Sequence, residues 1–527
     1  MTINKKSVKR RLLSASALCG GAIMFHLFVG APTALADPLG GVVSSGTASI
    51  AFEGTGGVVI TQTTDKGLIT WTGGFNIANG ESATFIHLGA AGTRSVTVNR
   101  DVTGTLSTID GLLRSCLTAA CLGGGGNGGS VWIINPAGVA FGANAIVNVG
   151  GLMATTADIA DIAGFATSNL QNLQFVGNAT DGSIIVDAGA NITGTGSVIA
   201  LIAPTVRSSG TITNPGGDVL MGSAQSFTIS FADAVAAPST LELFSYRVDA
   251  ASTSAAGLDV SGDISSNKFF GSVVSTVDSV LNVDANITAT AAIADGTAIV
   301  LVGGGDFANG VTADPVTVVA GPEVNLTING MSATGLVATN GDALLIGSNV
   351  NINDTLNIAN ELDIRAIAGD VVVSADAIKF HDIQATSNIN INVANDITGG
   401  GTLNAGGNIT TNSTGSSVFG AQTATGFITA TAGTTYTSGL MTSGTATQVT
   451  GGGNVTIAGA SSGSTLNVVS NTGDVSFTAN STSVGNTTLT STLGSVTTQD
   501  VAATGGNIIL MAATGIGGVN LNASGNI

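Results

Sequence analysis

The residues able to do chemistry are few and far apart. Cys116 and Cys121 stand C-x4-C in CLTAAC. In an exported chain, cysteines this close read as a small disulfide loop; the alternative, a two-ligand metal site, lacks its other ligands. Past the leader described below the only histidines are His87 and His381, neither in a cluster of ligand residues. Glu81, Asp101 and Asp110 are scattered and read as solvated turn residues. Gly459–Gly463 (GASSG) matches the G-x-S-x-G pattern. A nucleophile elbow needs a strand before it, a helix after it and a His partner. No helical pattern follows, and no histidine lies beyond His381, so the match reads as chance in a Gly/Ser-rich chain. HExxH and Asp-rich calcium nonapeptides are absent. No catalytic, metal or cofactor residue is therefore assigned.

Composition sets the frame for these residues. The chain has 527 residues, 9% of them charged and 43% hydrophobic, with 76 Gly and 8 Pro. Globular domains are about 25% charged, with Gly about 7% and Pro about 5%. Low Pro without a G-X-Y period excludes collagen, and low charge with high apolar content excludes a disordered chain. Rich in Gly, Thr, Val, Ile and Asn, the chain suits strands and tight turns. Formal net charge is −18. Nucleic-acid binding requires phosphate-neutralising Lys and Arg, so no nucleic-acid partner is expected.

Residues 1–36 read as a secretory signal peptide. Lys5, Lys6, Lys9, Arg10 and Arg11 form a basic n-region, a mostly apolar run covers 12–30, and Ala34-Leu35-Ala36 gives the small-x-small cleavage pattern. A membrane anchor is the alternative. The mature chain keeps nine basic residues against 32 acidic ones. No later stretch reaches the ~18 apolar residues of a spanning helix.

From Gly40 onward, short runs alternate apolar with small polar residues between Gly, Asn, Asp and Ser clusters, as in Gly57–Thr61, Ser183–Val186 and Phe227–Phe231. This is the strand signal, and sustained helical periodicity is missing. In the second half a start signal recurs: Gly, then Asn, Asp or Ser, then Val or Ile. It stands at Gly369, Gly407, Gly453, Gly473, Gly494 and Gly506, the last three steps being 20, 21 and 12 residues. A period near 20 is one coil of a β-solenoid, and a step of 12 fits one face of a coil. About 25 coils would stack at ~4.8 Å, with apolar residues inward and Thr, Ser and Asn ladders outward. Gly and Asn would supply positive-φ corners.

Four ordered blocks between about 40 and 220 carry a resemblance. They are Ile69–Gly80 (ITWTGGFNIANG) with Glu81–Phe85; Val98–Gly104 (VNRDVTG) with Ser107–Leu113; Val131–Gly151 (VWIINPAGVAFGANAIVNVGG) with Leu152–Thr155; and Ser197–Pro204 with Val206–Gly217. This segment resembles the secretion domain of two-partner secretion exoproteins, the filamentous haemagglutinin-like adhesins. Asp101 separates Asn99-Arg100 from Val102, and Ala137 stands where the family has Asn, which puts one side-chain hydrogen bond in question.

The resemblance implies an all-β, right-handed parallel β-helix. It also implies export across the outer membrane by a dedicated barrel transporter that recognises the secretion domain, in a Gram-negative bacterium. The expected organisation is a signal peptide over 1–36, a capped secretion domain over 37–255 and β-helix repeats over 256–527 that continue beyond the chain. The expected function is a secreted or cell-surface adhesin for a host or bacterial ligand, not an enzyme. Alternatives are a polysaccharide-processing enzyme on the same fold, or a stalk for a C-terminal effector. Asn99, Arg100, Asn135, Pro136 and Gly138 are the secretion-motif residues. The local reading makes Asn135–Gly138 a coil turn, since Asn before Pro favours an extended or turn conformation and Gly138 can take positive φ. Trp71 and Trp132 read as core or cap residues, with ligand platforms as the alternative. Arg100 reads as a buried or capping donor, or as a contact for the transporter.

Overall fold

The computed structural model describes residues 38–527 except 54–56, 119–120, 122–127, 233–239, 292–296, 308–316, 319–321, 330–335, 340, 354–355 and 359–360. The signal-peptide reading of residues 1–36 lies outside the described residues.

The chain is a parallel β-helix. Its described strands form sheets of 25, 16 and 11 strands, with further sheets of four and two. Within the 16-stranded sheet one inward column runs Val139, Ile184, Val206, Leu258, Leu281, Leu326 and Val350 through parallel pairs. It continues through Val371, Ile389, Ile409, Ile428, Thr447, Leu466, Thr487 and Ile508. All of them are buried. Burying a Val, Leu or Ile side chain contributes about 1.5–3 kcal/mol, so the period-two alternation sets the register of each coil on the last. Outward neighbours such as Asn351, Asn390, Thr410, Thr429 and Asn467 form the polar face.

Coil length departs from the sequence reading. Val139 pairs Ile184, 45 residues on; Val206 pairs Leu258, 52 on; Leu281 pairs Leu326, 45 on. From Leu326 every step falls to 18–24 residues. The 16-stranded sheet thus marks fewer coils than the ~25 that a uniform 20-residue period gives.

Two of the insertions build a second layer. Asp158–Ile159, Leu173–Val176, Ser226–Phe231 and Leu243–Ala250 pair antiparallel. They contribute to an apolar cluster outside the helix interior, where Trp132, Met153, Leu220 and Phe270 meet Phe165, Phe175, Phe227, Phe231 and Tyr246. Strands Ile199–Ala203, Val219–Ser223 and Phe269–Val273 are consequently buried on both faces, not polar outward. At the N-terminal end Gly41–Ser45 and Ala48–Glu53 run antiparallel to Lys66–Trp71 and Gly57–Gln62, covering edges that a bare coil would expose.

Glycine does less conformational work than the sequence reading expects. Gly138 does take φ +109°, but no described glycine beyond Gly304 has positive φ. Of the described asparagines only Asn172 does. In the later coils the requirement is space. At Gly473 a Cβ would run into Oδ1 of Asn454 in the preceding coil, and that oxygen accepts the N–H of Asp474 at 2.9 Å. The carboxylate of Asp474 in turn accepts the N–H of Ser495 at 2.7 Å. The recurring Gly-Asn/Asp signal is therefore a ladder from coil to coil. The 12-residue step marks a second corner, where Asn486 accepts the N–H of Asn507 at 2.8 Å.

Candidate functional site

Strand Val96–Asp101 is buried at every position but Arg100, and its pleat sends successive motif residues to opposite faces. Asn99 is fully buried inside the helix. Its Oδ1 accepts the indole N–H of Trp71 at 3.1 Å, and its Nδ2 donates to the carbonyl of Trp132 at 3.2 Å. The amide offers a donor and an acceptor in one neutral group, so one side chain connects three successive strands. Arg100 points outward, where its Nε donates to Oδ2 of Asp158 at 2.6 Å. It thereby joins the large sheet to the antiparallel layer. Asp101 turns inward again. Its Oδ2 accepts the N–H of Phe75 and the hydroxyl of Ser107, both at 2.8 Å, and its Oδ1 accepts the N–H of Thr103 at 2.9 Å. This corrects the reading of Asp101 as a solvated turn residue; it is buried.

Asn135 is buried one coil later. Its Nδ2 donates to Thr105 O at 2.7 Å and to Ser107 Oγ at 2.9 Å, while its Oδ1 accepts the N–H of Ala137 at 2.9 Å. The carbonyl of Asn135 accepts the N–H of Gly138 at 2.9 Å, closing the turn. The carbonyl of Pro136 accepts the N–H of Gly182 at 2.7 Å from the following coil. Ser107 therefore links the two motif blocks, from Asn135 through its hydroxyl to Asp101. No spacing in the sequence signals that chain.

Further buried polar groups lie beside the motif. His87 Nε2 meets Thr97 Oγ1 at 2.9 Å, Thr97 Oγ1 donates to Gln62 Oε1 at 2.7 Å, and Gly129 N–H donates to His87 Nδ1 at 3.1 Å. These bonds suit a neutral imidazole, and burial pushes His87 down to about 4. Burial pushes Asp218 up to about 6, with Lys268 opposing. Cys116 and Cys121 are bridged, their Cα atoms 5.7 Å apart. Trp71 packs on Phe75 in the interior, ring centroids 5.5 Å apart, and Trp132 packs on Phe231 at 5.6 Å in the outer cluster.

The remaining chemical residues fall as follows. GASSG lies largely within strand Val455–Ser462, so it has no elbow geometry. Glu81 Oε2 accepts the N–H of Ala78 at 3.2 Å, and Asp110 accepts the N–H and the Nδ2–H of Asn144 at 3.0 Å. His381 corrects the sequence reading. Coil stacking brings Asp363, nearly one coil earlier, beside His381 and Asp382, and the three form a group of potential ligands. Among the described residues no helix is long and apolar enough to cross a membrane.

The arrangement around Asn99 and Asn135 is a rigid, fully bonded scaffold with a charged outer pin, suited to presenting a surface to a partner. A family model for the TPS secretion domain matches residues 37–243. Among solved structures, the chain is similar to the HMW1 secretion domain from Haemophilus influenzae, with 17% identity, 91% of this chain and 100% of that chain covered, and a TM-score of 0.38. It is also similar to the filamentous hemagglutinin secretion domain, with 12% identity, 71% and 99% covered, and a TM-score of 0.31. No curated protein matches.

Proposed function

Residues 37–243 being a TPS secretion domain, the chain is a two-partner secretion exoprotein, and we propose that it is a filamentous adhesin. Residues 1–36 act as the signal to the periplasm. Residues 37–255 are the part that the periplasmic modules of an outer-membrane barrel transporter recognise, and residues 256–527 are the repeat region. The chain crosses extended and folds outside. Each coil needs contacts only with its neighbours, so folding propagates without an energy-consuming motor.

The observation that carries this reading is the family match over 37–243, within which Asn99, Arg100 and Asn135 hold consecutive coils and the antiparallel layer together. A binding role, not a catalytic one, is supported by the outward faces. An open groove of about 510 Å³ is lined by Asn353, Ser374, Asn392 and Asn412, stacked side chains with many donors and acceptors, and Asp376 is the one charged residue among its lining. Such a surface suits a hydroxyl-rich ligand on a host or bacterial cell.

The test is export of two truncations with and without the partner transporter. Residues 1–255 should reach the medium only when the transporter is present, and residues 256–527 behind the same signal should stay in the periplasm. Transporter-independent release of the first, or release of the second, overturns the reading.

A further inference from the structure

We propose that Asp363, His381 and Asp382 form a binding site for one divalent transition-metal ion of the Zn²⁺ class. The three offer one imidazole nitrogen and two carboxylate oxygens, all within 4.8 Å of one another. His381 Nδ1 lies 3.4 Å from Asp363 Oδ1 and 3.6 Å from Asp382 Oδ2. Both separations exceed the ~2.9–3.0 Å of an ordinary N–H···O hydrogen bond. They match the ~3.4 Å edge of a tetrahedron whose ligands stand about 2.1 Å from a central Zn²⁺.

The surroundings hold the ligands in that pose. Asp382 Oδ1 accepts the N–H and hydroxyl of Thr402 at 2.5 and 2.9 Å, which leaves Oδ2 turned toward His381. Asp363 Oδ1 accepts the N–H of Asp382 at 3.2 Å, so the two carboxylates are stacked coil on coil. At other corners the ladder places neutral residues on both sides of an acid, as with Asn349, Asp370 and Asn388 or Asn454, Asp474 and Ser495. Here acid follows acid, as it also does where Asp342 accepts the N–H of Glu361 at 3.2 Å beside the same group. Directly stacked carboxylates repel unless a cation lies between them. A cavity of about 260 Å³ adjoins the group, lined by Asp342, Glu361 and Asp363 against Arg365, and adds to the local negative field.

The donor set chooses the ion. Ca²⁺ and Mg²⁺ take oxygen ligands, whereas an imidazole with carboxylates suits Zn²⁺ and its neighbours. Bound there, the ion would tie strand Leu362–Ala366 to the start of the next coil, with its remaining position open to water or an external ligand. This inference is independent of the export reading.

The test uses untagged mature chain freed of metal with a chelator and titrated calorimetrically with ZnCl₂ and, separately, CaCl₂. His87 is buried, so among the described residues His381 is the accessible histidine. We expect one Zn²⁺ per chain and a higher thermal midpoint with Zn²⁺ present. Affinity should drop at least tenfold in both His381→Ala and the nearly isosteric Asp382→Asn, whose folding is checked by circular dichroism. Absence of Zn²⁺ binding, unchanged affinity in either folded variant, or Ca²⁺ bound as tightly as Zn²⁺ overturns the assignment.

Discussion

Arg100 donates through Nε to Oδ2 of Asp158 at 2.6 Å, and this ion pair links the β-helix to the antiparallel layer that covers it. Both side chains are partly exposed, 30% and 24%. The coupling should therefore be modest, about 1 kcal/mol, and weaker in high salt. A double-mutant cycle of Arg100→Ala and Asp158→Ala, read by urea unfolding, should show non-additivity of that size. Strict additivity would mean that the pair contributes nothing to holding the layer down.

Asn135 and Gly138 should be sensitive in export and in stability together. Asn135→Ala strips partners from Thr105 O, Ser107 Oγ and the Ala137 N–H and should cost about 2–4 kcal/mol. Gly138→Val puts a β-branched residue at φ +109° with its Cβ 2.7 Å from Ser183 O, adding about 1–3 kcal/mol of backbone strain before the clash is counted. Secretion should fall in both while the signal is still cleaved. Wild-type export of both variants would show that the turn is not needed.

His87 should make the secretion domain acid-sensitive. Its pKa is about 4 in the folded chain and about 6.5 unfolded, so between those values the unfolded chain binds the extra proton. Its contribution is complete above pH 6.5 and is lost as the pH falls toward 4, in all about 3 kcal/mol. Asp218, pushed up to about 6, works the other way, its folded form gaining as the pH falls from 6 to 3.8. The readout is thus the difference between wild type and His87→Gln in urea midpoint at pH 7 and pH 4.5. Parallel profiles for the two proteins would contradict this assignment.

The corner glycines should be intolerant of a single methyl. Gly473→Ala should destabilise by about 1–3 kcal/mol, because the new Cβ meets the amide oxygen of Asn454. Gly400→Ala, with open space at its Cβ and no positive φ, should stay within about 0.5 kcal/mol of wild type. Equal effects of the two on the thermal midpoint would remove the packing explanation.

The Cys116–Cys121 bridge should be found in exported protein by non-reducing peptide mapping. Its closed loop is short, so replacing both cysteines with Ser should cost no more than about 3 kcal/mol. Two free thiols in secreted material would refute the pairing.

Sequence by itself determined the strand class, the near-20-residue coil of the later half and the place of the motif blocks. These rest on local chemistry: period-two alternation such as Ile389–Val393 selects a strand with one buried face, and Asn135-Pro136-Ala137-Gly138 is a turn wherever it stands. The near-20 spacing from Gly453 to Gly494 was legible because one corner repeats one hydrogen bond per coil. What only the tertiary structure decided depends on which residues the stacking superposes. The 45- and 52-residue coils hide the period, because their insertions leave to build a second layer over Trp132 and Phe270. Asn99 and Arg100, adjacent in sequence, end on opposite faces with different partners. Asp363 and His381 stand 18 residues apart in sequence, and only the pairing of Ile364 with Ile383 brings them within 3.4 Å. Alternation is a property of a few consecutive residues. Register between coils is set by the summed packing of a whole column, and no single stretch of sequence contains it.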